Sequence, residues 1–190
     1  MDPVLGLGSL IVVDPAVFDH NAPSFYADSV AWLVAEAVDR ALGQAGDQVG
    51  EVSDEVGVVV ISEVATTGTM HAIGLGAARG RVSPLRFAGA NPGVLAGLTC
   101  IRRRFRGPSL VLSTSPAAAL GAGVAVVRGW LDSAAARYVV LAAHFVTEAG
   151  EHVVNCAIVG EGKPVDLCSV LLASPPERLE ERVVCPPSSR

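Results

Sequence analysis

GPSLVLSTSPAAAL, residues 107–120, is the stretch that decides how the chain folds. Residues 110–113, apolar through Leu112, predict a buried strand, and the small residues from Pro116 onward predict a helix that follows it abruptly. Proline suits the first turn of a helix, because its missing N–H would have no partner there. A strand-to-helix turn can present a nucleophile at the helix N-terminus, where negative charge is stabilised. Here that position holds Pro116, which cannot attack a substrate.

This turn resembles the active-site turn of β-ketoacyl synthases, where Gly-Pro-Ser and a short hydrophobic strand precede Thr-Ala-Cys and a small-residue helix. On that match Thr114-Ser115-Pro116 takes the place of Thr-Ala-Cys, and residues 113–119 contain no cysteine. Upstream, the segments 82–87, 91–93 and 55–62 are also similar to family segments. The resemblance covers roughly residues 5–145, about the N-terminal half of a ketosynthase.

The predicted elements alternate along the chain, which favours an α/β fold with a mostly parallel sheet. Strands are expected at residues 5–13, 56–61, 110–113, 138–145 and 152–159, with a further strand at 165–172. Helices are expected from a Ser24 cap to Gly43, from an Asn91 cap through Ile101, and over 116–131. The glycine-rich residues 66–81 are predicted to form a loop with at most one helical turn. The domain is expected to span residues 1–174, followed by a charged, Pro/Ser-rich tail at 175–190.

The resemblance implies the thiolase-like fold, with five strands, helices on both faces and the small-residue helix enclosed between two sheets. That fold duplicates a unit of which this chain holds one copy, so the catalytic histidines of the second copy are expected to be absent. The implied role is a non-catalytic subunit in polyketide or fatty-acid-type biosynthesis, similar to a chain-length factor. Its implied partners are a ketosynthase-like subunit or a second copy of itself, and an acyl carrier protein.

Hydroxyl groups near the turn suggest a second hypothesis, a serine or threonine nucleophile. Ser113, Thr114 or Ser115 could serve as a nucleophile only with a base within hydrogen-bond reach. The four histidines are His20, His71, His144 and His152, and the sequence places none of them beside the turn. Capping of the helix by Ser113 or Ser115 is therefore the favoured interpretation.

Four arginines form a basic cluster in this acidic chain: Arg102, Arg103, Arg104 and Arg106. The simpler interpretation is that they complement a helix C-terminus and keep an exposed turn hydrated. The alternative is that they anchor the acidic surface or the phosphopantetheine phosphate of an acyl carrier protein.

Composition limits the remaining function classes. Hydrophobic residues make up 51% of the chain and charged residues 17%, which predicts apolar surface hidden in a subunit interface. A net charge of -5 argues against a general nucleic-acid binder. The cysteines, at 100, 156, 168 and 185, lack metal-ligand spacing, and neither a metal nor a cofactor is expected. No secretory signal or membrane-length apolar run is visible, so the cytoplasm is the expected compartment.

The resemblance also implies where subunits would meet. In the family the active-site strand pairs with its counterpart across the dimer axis, which makes Leu110, Leu112 and Ser113 the interface candidates here. Two other functions stay open. One is an enzyme that acts on carrier-bound acyl chains by isomerisation or cyclisation, and the other is a structural homodimer without a ligand.

Overall fold

The computed structural model of the protein describes residues 4–19, 26–81, 83–162 and 166–172. Strands are β1 Val4–Val12, β2 Val56–Ser62, β3 Ser109–Leu112, β4 Tyr138–Val146 and β5 His152–Val159. Helices are α1 Ser29–Ala45, α2 Thr67–Ala77, α3 Pro84–Gly89, α4 Val94–Arg103, α5 Pro116–Asp132 and α6 Leu167–Leu172. Short 3₁₀ segments cover Pro15–Phe18 and Asp47–Glu55.

The five strands form one sheet in the order β1-β5-β4-β2-β3. Strand β2 pairs in parallel with β3 and β4, while β5 runs antiparallel to both β4 and β1. The predicted five-stranded α/β fold is confirmed, but the sheet is mixed rather than mostly parallel. The reason is the short turn between β4 and β5, because a few residues can join only antiparallel neighbours.

Helices cover both faces of the sheet, as predicted. On one face, α1 and α4 pack on alternate strand residues such as Val58, Val60 and Ala142. On the other face, α5 and α6 pack on the intervening residues, such as Val59 and Ile61. The interior strand β2, between β4 and β3, is buried along its whole length, as expected for a strand enclosed between two helical layers.

Strand β1 and helix α1 touch through their backbones. A Cβ atom on Gly8 would overlap the carbonyl oxygen of Ala37, and a Cβ atom on Gly6 would overlap the carbonyl oxygen of Ala41. These two glycines therefore allow α1 to lie directly on β1. Asp28 caps this helix and accepts a hydrogen bond from the Val30 N–H, whereas the predicted Ser24 cap lies outside the described residues.

Two predicted elements are wrong. Residues 67–77 form the helix α2 instead of a loop, with no buried residue. Residues 167–172, predicted as a strand, form the helix α6, in which Leu167 and Leu171 are buried.

Helix α4 begins at Val94, and its N-cap is Gly93 instead of the predicted Asn91. The side chain of Asn91 accepts a hydrogen bond from the Gly93 N–H. The predicted tail at 175–190 lies outside the described residues.

No helix in the described ranges is both long and apolar enough to cross a membrane. Three cysteines fall in these ranges, and all are free thiols. Cys156 is fully buried, and burial raises the pKa of its thiol. Cys100 is half-buried, and burial also raises the pKa of its thiol.

Candidate functional site

The turn from β3 into α5 has the geometry that the sequence predicts. Pro116 occupies the first position of α5 and is buried against the sheet. Ser115 is the N-cap in extended conformation, and its side chain accepts a hydrogen bond from the Ala118 N–H at 3.4 Å. The predicted cap is thus confirmed for Ser115. Its hydroxyl oxygen serves the helix terminus, and the neighbouring Pro116 carries no reactive atom.

The histidines of the described chain do not reach this turn. His144 and His152 follow the alternation of the α1 face, whereas the turn leads into α5 on the opposite face. His71 is exposed on α2, and His20 lies outside the described residues. Ser113 and Thr114 are exposed, and neither has a histidine as hydrogen-bond partner among the described residues. Within the described residues, therefore, no histidine is hydrogen-bonded to a serine of this turn.

The arginine cluster lies at the opposite end of β3 from the turn. Arg102 and Arg103 both pair with Asp39 of α1, at 2.9 and 2.6 Å, and the Arg102 guanidinium lies 5.4 Å from the centre of the Trp32 ring. These contacts join α4 to α1 and so stabilise the packing of the two helices. Arg106 forms an exposed pair with Asp54 at 3.5 Å. Arg104 adopts a left-handed conformation at the C-cap of α4, with φ of 58°.

The predicted interface residues lie at an edge of the sheet. Among the described strands, β3 has β2 as its one neighbour in the sheet. Leu110 and Leu112 stand opposite Val59 and Ile61, so their side chains share the α5 face and are half-buried. Ser113 follows the strand and is exposed. The edge therefore carries backbone groups free for another strand, with apolar side chains beside them.

The outer face of α5 is apolar and made of small residues. Its inner face buries Ala119, Leu120, Gly123, Val127 and Leu131 against the sheet. The outward positions are exposed and mostly small: Ala117, Ala118, Gly121, Ala122, Ala125, Arg128 and Gly129. Arg128, with Asp132 one turn later at the end of the helix, supplies the charged side chains of that face. Such a surface permits close approach by another element but does not itself bind solvent well.

A chain of hydrogen-bonded polar side chains, the Ser62–His144–His152 constellation, lies on the α1 face of the sheet and joins β2, β4 and β5. The Ser62 Oγ atom lies 2.8 Å from Nδ1 of His144, and Nε2 of His144 lies 3.0 Å from Nδ1 of His152. The two imidazole planes differ by 16°, with centroids 5.2 Å apart, so this contact is an in-plane hydrogen bond. Ser62 Oγ also accepts the Ala65 N–H at 2.9 Å.

Burial favours the neutral form of both imidazoles. His144 is fully buried, and burial, together with the neighbouring His152, lowers its pKa to about 3. Burial also lowers the pKa of the half-buried His152, while the carboxylates of Asp14 and Asp28 oppose that shift. Neutral imidazole has one N–H donor and one acceptor nitrogen. The direction of one hydrogen bond therefore determines the roles of both nitrogens of that ring.

Sequence reasoning missed this constellation, although part of its signal was present. His144 lies in one predicted strand and His152 begins the next, but the contact between the two rings depends on the β4–β5 register. There His144 faces Val154 and His152 faces Val146, so the rings are diagonal neighbours. Ser62 stands directly opposite His144 across the β2–β4 pair. Within the described ranges, no three side chains of His, Cys, Asp or Glu are grouped so as to hold a metal ion.

Residues 12–154 match the family model of the β-ketoacyl synthase N-terminal domain. This match covers well over half of the 190 residues and includes the strand-to-helix turn. The chain belongs to the β-ketoacyl synthase family. Among curated proteins, none is similar enough to count as a match.

Solved structures of ketosynthase proteins share the fold. The ishigamide ketosynthase/chain length factor aligns at a TM-score of 0.61 with 15% identity, over 80% of this chain and 49% of the other. The ketosynthase ApeO in complex with its chain length factor ApeC from Xenorhabdus doucetiae aligns at 0.56 with 13% identity, over 76% and 63%. The AntDE:AntF complex, a type II acyl-carrier protein with its ketosynthase, aligns at 0.60 with 13% identity, over 83% and 62%.

At these identities the likeness establishes the thiolase-like ketosynthase fold alone. The chain spans about half of the ishigamide protein and under two thirds of the other two chains. The predicted family and fold are confirmed.

Proposed function

We propose that this ketosynthase-family chain is a non-catalytic subunit that binds a ketosynthase-like partner and an acyl carrier protein in polyketide or fatty-acid-type biosynthesis. The observation that carries the proposal is Pro116 at the first position of α5. A condensing enzyme needs a nucleophile where a helix N-terminus can stabilise its anion. At this turn the residue offered to that position is a buried proline, and the adjacent Ser115 caps the helix.

The open edge of β3 and the outer face of α5 support the partner half of the proposal. The side chains of Leu110 and Leu112 at that edge lie on the same face of the sheet as α5. An unpaired edge with apolar neighbours is an aggregation hazard unless another chain or element covers it. The similar structures that align with this chain include complexes named as a ketosynthase with its chain length factor and a ketosynthase with its acyl-carrier protein.

The arginine cluster supports carrier-protein binding less strongly. Arg102 and Arg103 share one carboxylate, Asp39, so together they still carry net positive charge. Arg104 is exposed and makes no ion pair with a described residue. Exposed arginines of this kind can contact phosphate or carboxylate groups. We propose Arg104 and Arg106 as the carrier-facing members, with Arg102 and Arg103 acting mainly to join α4 to α1.

Acylation tests the non-catalytic half directly. The purified protein is incubated with acyl-CoA and with an acylated carrier protein, and its intact mass is then measured. We expect no stable acyl adduct. Peptide mapping distinguishes adventitious acylation of a cysteine elsewhere from the decisive case. A stable adduct within residues 113–119 would overturn the proposal.

A rescue variant sharpens the same test. Pro116→Cys restores the residue type that the family has at this turn, yet we expect no condensing activity from that chain alone. Condensation also needs general acid–base groups and donors to the developing oxyanion. The described histidines near the sheet lie on its other face. Measurable condensation by the variant alone would show that this chain holds the complete machinery.

Co-expression tests the partner half. A tagged chain is expressed together with each candidate ketosynthase from its own genome, and any complex is isolated through the tag. We expect the two to co-elute in a fixed ratio. Co-elution that survives disruption of the β3 edge would place the contact elsewhere on this chain.

A further inference from the structure

The Ser62–His144–His152 constellation opens onto a cleft that the proposed function does not use. The cleft has a volume of about 640 Å³ and lies between the start of α1 and the segment that follows β2. His152, Arg86, Asp28 and Thr69 are among the residues that line it. It lies on the α1 face of the sheet, whereas the turn at Pro116 leads to the α5 face.

Two buried polar side chains, Asp28 and Ser62, hold the walls of the cleft in place. Asp28 accepts hydrogen bonds from the Val30 N–H at 2.9 Å and from the Thr69 N–H at 3.0 Å. Its two oxygens therefore join the N-terminus of α1 to that of α2. Ser62 Oγ holds the Ala65 N–H, and Ala65 has a φ of 43°, which is uncommon for a residue with a side chain. The opposite wall is thus fixed by Ser62.

The hydrogen bonds of Ser62 set the direction of the whole chain of groups. Its oxygen already accepts from Ala65, so its own hydrogen needs an acceptor. Among the described residues, Nδ1 of His144 is the acceptor within reach. With Nδ1 accepting, the proton of neutral His144 lies on Nε2 and is donated to Nδ1 of His152. The reverse direction would leave a buried hydroxyl hydrogen without a partner, which is costly.

We propose that His152 presents an Nε2–H, in a tautomer fixed by Ser62 and His144, as a hydrogen-bond donor to the carbonyl group of a neutral ligand in this cleft. The Nδ1 lone pair of His152 is occupied by His144, so His152 does not act as a general base here. The low pKa of His144, about 3, supports this assignment because a neutral ring has a single N–H to place.

Charge around His152 selects the ligand class. Asp14 and Asp28 lie close enough to raise the pKa of His152 against the effect of burial. These carboxylates disfavour an anion at the ring, while the guanidinium of Arg86, which also lines the cleft, disfavours a cation in it. The Nε2–H itself disfavours a cation there. A neutral acceptor, such as an amide or ester carbonyl, meets neither repulsion.

Nitrogen-15 NMR at neutral pH tests the tautomer. Long-range proton–nitrogen spectra of the full chain are expected to show Nε2 protonated and Nδ1 unprotonated in both His144 and His152. Ser62→Ala should release this preference and mix the tautomers of His152, while Ser62→Thr, which keeps the hydroxyl, should resemble the wild type. Protonated Nδ1 on His152 in the wild type would overturn the proposal.

Three matched probes test the ligand class. They are N-acetylalanine N-methylamide, which is neutral, N-acetylalanine, which is an anion, and alanine N-methylamide, which is a cation. We expect saturable chemical-shift changes at His152 and at the amide of Thr69, which also lines the cleft, with the neutral probe alone. The Thr69 amide is the readout in the His152 variant. His152→Ala should weaken that binding by about five- to tenfold, as expected for one hydrogen bond. His71→Ala, which alters an exposed histidine that does not line the cleft, should leave it unchanged. Preference for a charged probe, equal loss in both variants, or no saturable shift with any probe would overturn the ligand assignment.

Discussion

Helices α1 and α5 have 17 residues each and cover opposite faces of the same sheet, yet they are completed in different ways. Helix α1 buries residues on nearly every side, because α4, the first 3₁₀ segment and β1 surround it. Helix α5 buries one face and exposes a stripe of small residues. The α1 layer is therefore complete within this chain. The α5 layer has the surface of a core that another element is expected to cover.

The largest effect is expected from breaking the α1 layer at its closest contact. In Gly8→Ala the new Cβ would overlap the backbone carbonyl of Ala37, which cannot move without shifting the helix. We expect a loss of at least about 3 kcal/mol in the free energy of unfolding, measured by urea denaturation.

Gly121→Ala is the matched control on the α5 layer, since a Cβ there meets nothing within 4 Å. Alanine favours a helix over glycine by about 1 kcal/mol, so this variant should be more stable than the wild type. Equal destabilisation by both substitutions would mean that the two layers do not differ as described.

The next effect concerns the open edge beside α5. In Leu112→Asp a charge replaces an apolar side chain that stands opposite Ile61. We expect insolubility or loss of the partner rather than a stable monomer, because the change affects both the half-buried contact and the strand edge. Solubility and light scattering measure the outcome. Ser109→Asp alters an exposed residue of the same strand and should behave like the wild type if the Leu112 side chain is what matters.

Acid should destabilise the α1 layer through His144. Its pKa is about 3 in the folded chain and about 6.5 when unfolded, so the unfolded state binds more protons between these values. The free energy of unfolding is therefore highest above about pH 6.5 and falls as the pH drops toward 3. Between pH 7 and pH 5 this histidine alone should account for about 2 kcal/mol. His144→Gln, which does not titrate, should remove that part of the slope in urea unfolding curves; an unchanged slope would contradict the burial of a neutral His144.

The smallest effect is expected at the cap of α5. Ser115→Ala removes the side-chain acceptor for the Ala118 N–H, and the bond is long, so we expect a loss of about 0.5–1 kcal/mol in thermal or urea unfolding. Ser113→Ala, at an exposed position outside the helix, should change stability by less than about 0.5 kcal/mol. A larger loss at Ser113 would show that the helix is capped differently.

The sequence predicted those features whose causes are local. Continuous apolar runs predicted β2 and β4, and Pro116 with its small neighbours predicted the start of α5. Helix α2 was missed because its residues lack apolar periodicity and none is buried. The run that forms α6 is too short for periodicity to distinguish a helix from a strand.

The polar constellation could not be predicted for a different reason. Ser62 and His144 are 82 residues apart in sequence and meet only through the β2–β4 register. The open β3 edge and the Ser115 cap, in contrast, follow from one contiguous segment. Local chemistry was therefore predictable at the turn, while the cleft required the assembled sheet.

Light scattering of the unmodified protein at micromolar concentration tests the central claim most directly, because it asks whether the α5 layer and the β3 edge are left uncovered. We expect a mass at least twice that of the 19.5 kDa chain, either as a homodimer or, on co-expression, as a complex with a ketosynthase-like partner. A well-folded monomer that neither self-associates nor binds that partner would contradict the account.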